Sequence, residues 1–275
     1  MIRLTTAILL CVCSCLVDQR CEADSADEKP HGKDFSSSRH SHPDAEPINL
    51  PERYQQAVKN AMNATEKDVS RNLTSILRNN PNLIWRGSGN RQQVLMTTWT
   101  SHQSYYVTSQ QPLGVPFQEK YNVWVTAAPE LKTFCEKYRE GKGGGVLSRR
   151  LEQLLGLPPQ SGHRFIVELW VKPDDLFRPS ADPEIADYEA QLKFPDVRDY
   201  VSVSQSYKRW YNRTAETRYK PQNGPVYPWT RLGYTYDWGN QETRIGLSEF
   251  VIREGAELTV HSISKTDNYG KPETP

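Results

Sequence analysis

Gly246-Leu247-Ser248-Glu249-Phe250-Val251-Ile252-Arg253-Glu254-Gly255-Ala256 alternates with a period of two, as a β-strand does. Leu247, Glu249 and Val251 share one face, while Ser248, Phe250 and Ile252 share the other. Both faces are largely apolar, so the strand reads as buried on two sides with a carboxylate inside it. A carboxylate taken out of water is costly unless it is paired or put to use. Glu249 is therefore either a satisfied core acid or the anchor of a site. Gly255 and the apolar run Leu258 to Ile263 follow, so the chain closes in strands.

Working outward, strand patterns recur at Asn82 to Arg86, Gln93 to Thr98, Ser104 to Ser109, Tyr121 to Thr126, Phe165 to Val171 and Leu232 to Trp238. Helical spacing appears at the N-terminal side. Pro51 suits a first turn, and Tyr54, Val58, Ala61 and Met62 follow on one face. Thr65 and Asp68 form a capping-box pattern ahead of the stripe Val69, Leu73, Ile76 and Leu77, which Asn79-Asn80-Pro81 ends. Pro129 opens another helix, with Leu131, Phe134, Cys135 and Tyr138 on one face and a stop at Gly141. Gly141-Lys142-Gly143-Gly144-Gly145 lacks the Lys-Ser/Thr that completes a phosphate loop and reads as a hinge. Val146 to Leu155 is a short helix. Residues 172 to 228 carry Pro173, Pro179, Pro183, Pro195, Pro221, Pro225 and Pro228, and read as a long, partly ordered insertion. The expected fold is α+β: a mixed, mainly antiparallel sheet core with N-terminal helices and a long Pro-rich insertion, in one domain over 51–275.

The chain has 275 residues and a formal net charge of +1, so no electrostatic footprint for nucleic acid is present. Residues 1–23 read as a signal peptide: Arg3 precedes an apolar run from Leu4 to Val17 that is too short to span a bilayer. Val12-Cys13-Ser14-Cys15 resembles a lipobox, with a lipid anchor at Cys15; the alternative is cleavage before Asp24. Either route makes the protein secreted or lipid-anchored in the cell envelope. Residues 24–50 are polar, hold His31, His40 and His42 without metal-ligand spacing, and read as a disordered linker. After cleavage before Asp24, Cys135 is the one remaining thiol, and its place on an apolar helix face makes it a buried structural residue.

Three pieces then fall in a suggestive order: the strand Leu83-Ile84-Trp85-Arg86 ahead of Gly87, the strand Val123-Trp124-Val125-Thr126 ahead of a helix, and the late strand with Glu249. This order resembles the ADP-ribosyltransferase-like superfamily, in its arginine–serine–glutamate class, over roughly residues 82 to 265. The resemblance implies Glu249, Arg86 and Thr126 as catalytic residues, and Arg86, Tyr234 and Tyr236 as the residues that hold NAD. It implies no permanently bound cofactor and no metal, with NAD as substrate and the acceptor open. The chain departs from that pattern in Val125-Thr126-Ala127, which is not Ser-x-Ser, and in Leu247, where an acidic residue is expected two positions before Glu249. The gap before Glu249 is also long, and the missing acidic residue argues against transfer to protein arginine, leaving NAD glycohydrolysis, another acceptor or a lapsed site open. In such chemistry a carboxylate steadies an oxocarbenium-like state and an Arg fork holds phosphate or ribose.

Each residue also has a structural role to fill. Arg86 can be a strand-end charge, Thr126 a helix cap, and Tyr234 and Tyr236 a packing row beside Trp238. Tyr227-Pro228-Trp229-Thr230-Arg231 stands out as cleft-lining or as an aromatic pin for the insertion. The alternative function is therefore a non-catalytic secreted envelope binding protein that uses an aromatic-lined cleft. Under the enzymatic reading Arg86, Thr126 and Glu249 converge; under the binding reading they scatter.

Overall fold

The computed structural model describes residues 49–141, 146–196 and 202–271. The expected signal peptide, the Cys15 anchor, the linker up to residue 48 and the Gly143 to Gly145 run lie outside the described residues. In chain order the elements are α1 (Leu50–Met62), β1 (Trp85–Arg86), β2 (Gln93–Thr100), α2 (Gln103–Tyr106), β3 (Pro116–Gln118), β4 (Val123–Ala127), α3 (Ala128–Glu140) and α4 (Leu147–Leu154). They continue with β5 (Phe165–Val171), β6 (Leu176–Phe177), α5 (Gln205–Tyr219), β7 (Tyr234–Tyr236), β8 (Ile245–Ser248), β9 (Phe250–Ile252) and β10 (Glu257–Lys265).

The architecture is α+β, as expected. One eight-stranded sheet runs β3-β10-β5-β2-β4-β9-β6, with β1 beside β2, and β7 pairs with β8 in a small second sheet. Each pairing among these strands is antiparallel. The central strands are buried on both faces. Val167, Leu169 and Val171 of β5 join Val94, Met96, Phe250 and Leu258 in one core. Ile166, one residue out of phase, joins Trp99 and the inner faces of α3 and α4 through Leu131, Cys135, Leu151 and Leu154. Burying each such aliphatic side chain contributes about 1.5–3 kcal/mol. Asn49 caps α1 by accepting from Glu52 N at 3.3 Å, and Pro residues occupy the first turns of α1 and α3, where no intrahelical donor is lost.

The structure departs from the sequence reading in four places. First, Leu247 to Ile252 is not one strand. It breaks at Glu249, so that β8 pairs with β7 while β9 pairs with β4 and β6. Glu249 N donates to Gly233 O at 2.9 Å, outside both ladders. Gly246 permits the crossing, since a Cβ there would sit 2.2 Å from Thr235 Oγ1. Second, the Thr65/Asp68 box forms but supports one 3-10 turn, Glu66–Asp68. Leu73 N and Ile76 N donate instead to Tyr188 O and Ile185 O, at 2.8 and 2.7 Å, so tertiary bonds replace the helix. Third, Ser104 to Ser109 contains the short α2 and a turn closed by Thr108 N and Gln111 O at 3.0 Å; the edge strand is β3. Fourth, the region read as an insertion supplies β6 and α5, and Tyr211 and Trp229 are buried in it with Ala181. Ser204 caps α5 by accepting from Tyr207 N.

Candidate functional site

Strands β2 and β4 pair at Met96↔Ala127 and Thr97↔Thr126, and no further. Beyond that point they splay. The opening is a cleft of about 340 Å³, with Thr97, Thr98 and Trp99 on one arm and Val123 to Thr126 on the other. Glu249 lines it, because the break between β8 and β9 faces the fork. Tyr227, Pro228 and Trp229 form a further wall, with Arg218 of α5. The aromatic surface is well fixed: Trp124 meets Trp229 edge to face at 5.8 Å, and Trp229 Nε1 donates to Pro179 O at 3.1 Å.

Glu249 is partly exposed where it lines the cleft, yet its Oε2 is shut off from solvent and has no hydrogen-bond partner. Burial pushes its carboxyl up to about 8, with the Arg218 guanidinium opposing that rise. At neutral pH it is a protonated acid that can donate a hydrogen bond. Thr126 is buried, and its Oγ1 also lacks a partner. It does not cap α3: that position falls to Ala127, which has no side-chain cap bond. Buried polar atoms without partners are rare, and three of them, counting His163 Nδ1, belong to residues that line this cleft. His163 stands against Trp99, ring centroids 5.2 Å apart, and burial holds its pKa below the ordinary histidine value.

The sequence-derived set divides. Thr126 and Glu249 come together. Arg86 does not join them: it pairs with Gln93 at the far end of β2, donates to Gln93 Oε1 at 2.7 Å and lies 4.8 Å over the Trp170 ring. Four residue steps along β2 separate Gln93 from Thr97, or about 13 Å at about 3.3 Å per residue. Tyr234 and Tyr236 also face elsewhere. The Tyr234 hydroxyl donates to Asp68 O at 2.7 Å, and Tyr236 accepts from Asn60 Nδ2 at 3.0 Å. The strand alternation was legible, but the face was not: Thr235, between them, lines the cleft. Arg86, Tyr234 and Tyr236 make their contacts away from the cleft, Tyr236 beside Trp238 and Tyr234 in a separate cluster with Leu73 and Leu232.

Arg218, Trp99, Trp124 and His163 were not among the sequence candidates. Trp124 is two residues from Thr126 on the same strand, and Trp229 falls in the Tyr227 to Arg231 segment that the sequence marks as cleft-lining or pinning. Arg218 lies on a helix whose pattern was hidden by flanking prolines. Asp182, Glu184 and Asp187 bring carboxyl oxygens within 4.8 Å of one another, but Asp187 faces the buried Arg178 at 3.5 Å, and the cluster serves that charge. Among the described residues no helix is long and apolar enough to cross a membrane. Compared with known family models, curated proteins and solved structures, the chain matches none.

Proposed function

We propose that the protein binds a small, ring-bearing ligand in this cleft, as a secreted or envelope-anchored binding protein. The observation that carries the reading is that Glu249 and Thr126, whose Oε2 and Oγ1 have no partners, both line one aromatic-walled opening. Rings supply flat apolar area for stacking on a planar or sugar ring, and a few unsatisfied polar groups fix its orientation. Glu249, held protonated by burial, donates; Thr126 donates or accepts.

Intrinsic fluorescence gives the test, because Trp99, Trp124 and Trp229 line the cleft. Titration with a panel of monosaccharides and aromatic acids should give a saturable change that Trp124→Ala and Glu249→Gln reduce or abolish. A wild-type signal that never saturates, or one that both variants preserve, would sink the reading.

A second reading keeps nicotinamide–ribose cleavage, because Thr126 and Glu249 share the cleft and Arg218 lines it as well. Release of nicotinamide from NAD by the purified protein would put it first. Glu249→Gln should then cut turnover by roughly two to three orders of magnitude, the usual loss for one electrostatic stabiliser.

A further inference from the structure

We infer that the ligand carries an anionic group, a carboxylate or phosphate, and that Arg218 is the residue that selects it. This rests on the ring-binding reading and names its ligand class. Arg218 is held in place from several sides. Its guanidinium lies 4.7 Å from the Tyr227 ring and 5.5 Å from the Trp124 ring, and its backbone oxygen accepts from Tyr227 N at 2.8 Å. Yet the hydrogen bonds among the described residues include none from its five donors. Other part-buried arginines do donate within the protein: Arg86 to Gln93, Arg150 to Asp237, Arg139 to Tyr269 O, and Arg231 to Met62 O, though Arg231 Nε has no partner. Stacking fixes the plane of a guanidinium and leaves its in-plane donors free, which is the geometry that takes an oxyanion.

The charge of the cleft agrees. Its ionisable lining groups are His163, Arg218, Tyr227 and Glu249. Burial raises the Glu249 carboxyl to about 8 and lowers the His163 imidazole, so both are pushed towards their neutral forms and Arg218 is the cation of the lining. Had Glu249 been ionised, it would have been the natural partner of Arg218, and the site would have no use for an external anion.

The test uses two matched pairs that differ in charge: methyl β-glucuronide against methyl β-glucoside, and benzoate against benzyl alcohol. Each is titrated into wild type, Arg218→Gln and Arg218→Lys at pH 7. In at least one pair the acid should bind wild type about ten- to a hundredfold more tightly than its neutral mate, as charge-assisted hydrogen bonds allow. The pair that responds tells a sugar acid from an aromatic acid. Arg218→Gln should erase the preference while the neutral mate binds as before, which also shows that the cleft is intact. Arg218→Lys should keep part of the preference, and carries the test should Arg218→Gln not fold. Equal binding of acid and neutral mate to wild type, or a preference that survives Arg218→Gln, overturns the inference and leaves the ring-binding reading standing. Binding of none of the four to wild type overturns both.

Discussion

Around Arg178 the chain gathers oxygens; around Glu249 it gathers rings. Arg178 is fully buried, and its guanidinium donates to Glu184 O, Asp187 O and Thr74 O at 3.0, 3.0 and 3.3 Å. Asp187 adds a carboxylate at 3.5 Å. Glu249, at the break between two sheets, has no partner for Oε2 and meets the opposing charge of Arg218 at the cleft. Both groups bear the cost of desolvation. The first is offset in large part inside the protein, through Nε and Nη2 with Nη1 left unpartnered, and joins the end of β6, the loop after it and the Thr74 segment. The second is left unpaid, and an unsatisfied buried group is what a ligand can satisfy. Burial without a partner is not confined to the cleft, since Arg178 Nη1 and Glu130 Oε2 share it; what sets Glu249 apart is that its orphaned oxygen belongs to a residue lining an open cleft.

The comparison can be broken most directly at Arg178. Replacing it with Met removes the charge that Asp187 and the surrounding carbonyls were arranged for, and should cost about 3–5 kcal/mol in urea unfolding. A loss well under that range would mean that the oxygens around Arg178 are better solvated than its burial implies.

Glu249→Gln should act through pH. A carboxyl whose folded value is raised from 4.5 to about 8 holds its proton while the unfolded chain has released it. Its contribution is fully present below about 4.5 and is lost as pH rises towards 8, so wild type loses stability across that window. The glutamine variant should show a flatter profile, with a difference on the order of 1–2 kcal/mol between the two ends. Melting curves recorded from pH 5 to pH 9 decide this, and parallel profiles for the two proteins would contradict the burial of the acid. Glu130 and Asp187, raised by burial to about 7 and about 6, add slope in the same direction and serve as the common background.

Thr126→Val sharpens the functional half. Removing a hydroxyl that has no partner should leave stability unchanged or raise it by up to about 1 kcal/mol, while ligand affinity falls. Lower stability would show that Oγ1 is satisfied after all. The smallest effect is expected at Arg86. Its contacts are one hydrogen bond and one ring face, so Arg86→Ala should cost at most about 1 kcal/mol and leave cleft binding as it was. A loss of binding there would restore the arginine–threonine–glutamate grouping that the order of motifs suggested.

Much of the secondary structure was legible because local periodicity reports it. Phe165 to Val171 is a strand with the expected bounds, and the helix opened by Pro129 and stopped at Gly141 is present. What failed were patterns with two outlets. Val69, Leu73, Ile76 and Leu77 carry a helical stripe, but their segment finds better hydrogen-bond partners in 185–188. The alternation through Glu249 was correct residue by residue, yet a crossing between sheets leaves no mark on apolar periodicity. Gly246 was the visible hint, and its meaning depends on Thr235 being opposite.

By itself the sequence determined the α+β class, the central strands, and the choice of Glu249 and Thr126 as residues whose chemistry needs explaining. These follow from short-range rules: alternation, capping, and the cost of a carboxylate among apolar neighbours. Only the tertiary structure decided which candidates meet. It sent Arg86 to the far end of β2, turned Tyr234 and Tyr236 away, and brought Arg218 in from a helix far along the chain. The reason is physical: a cleft is made where strands part, and where they part is set by the registers of β2, β4 and β9 with their partners, which no single segment encodes.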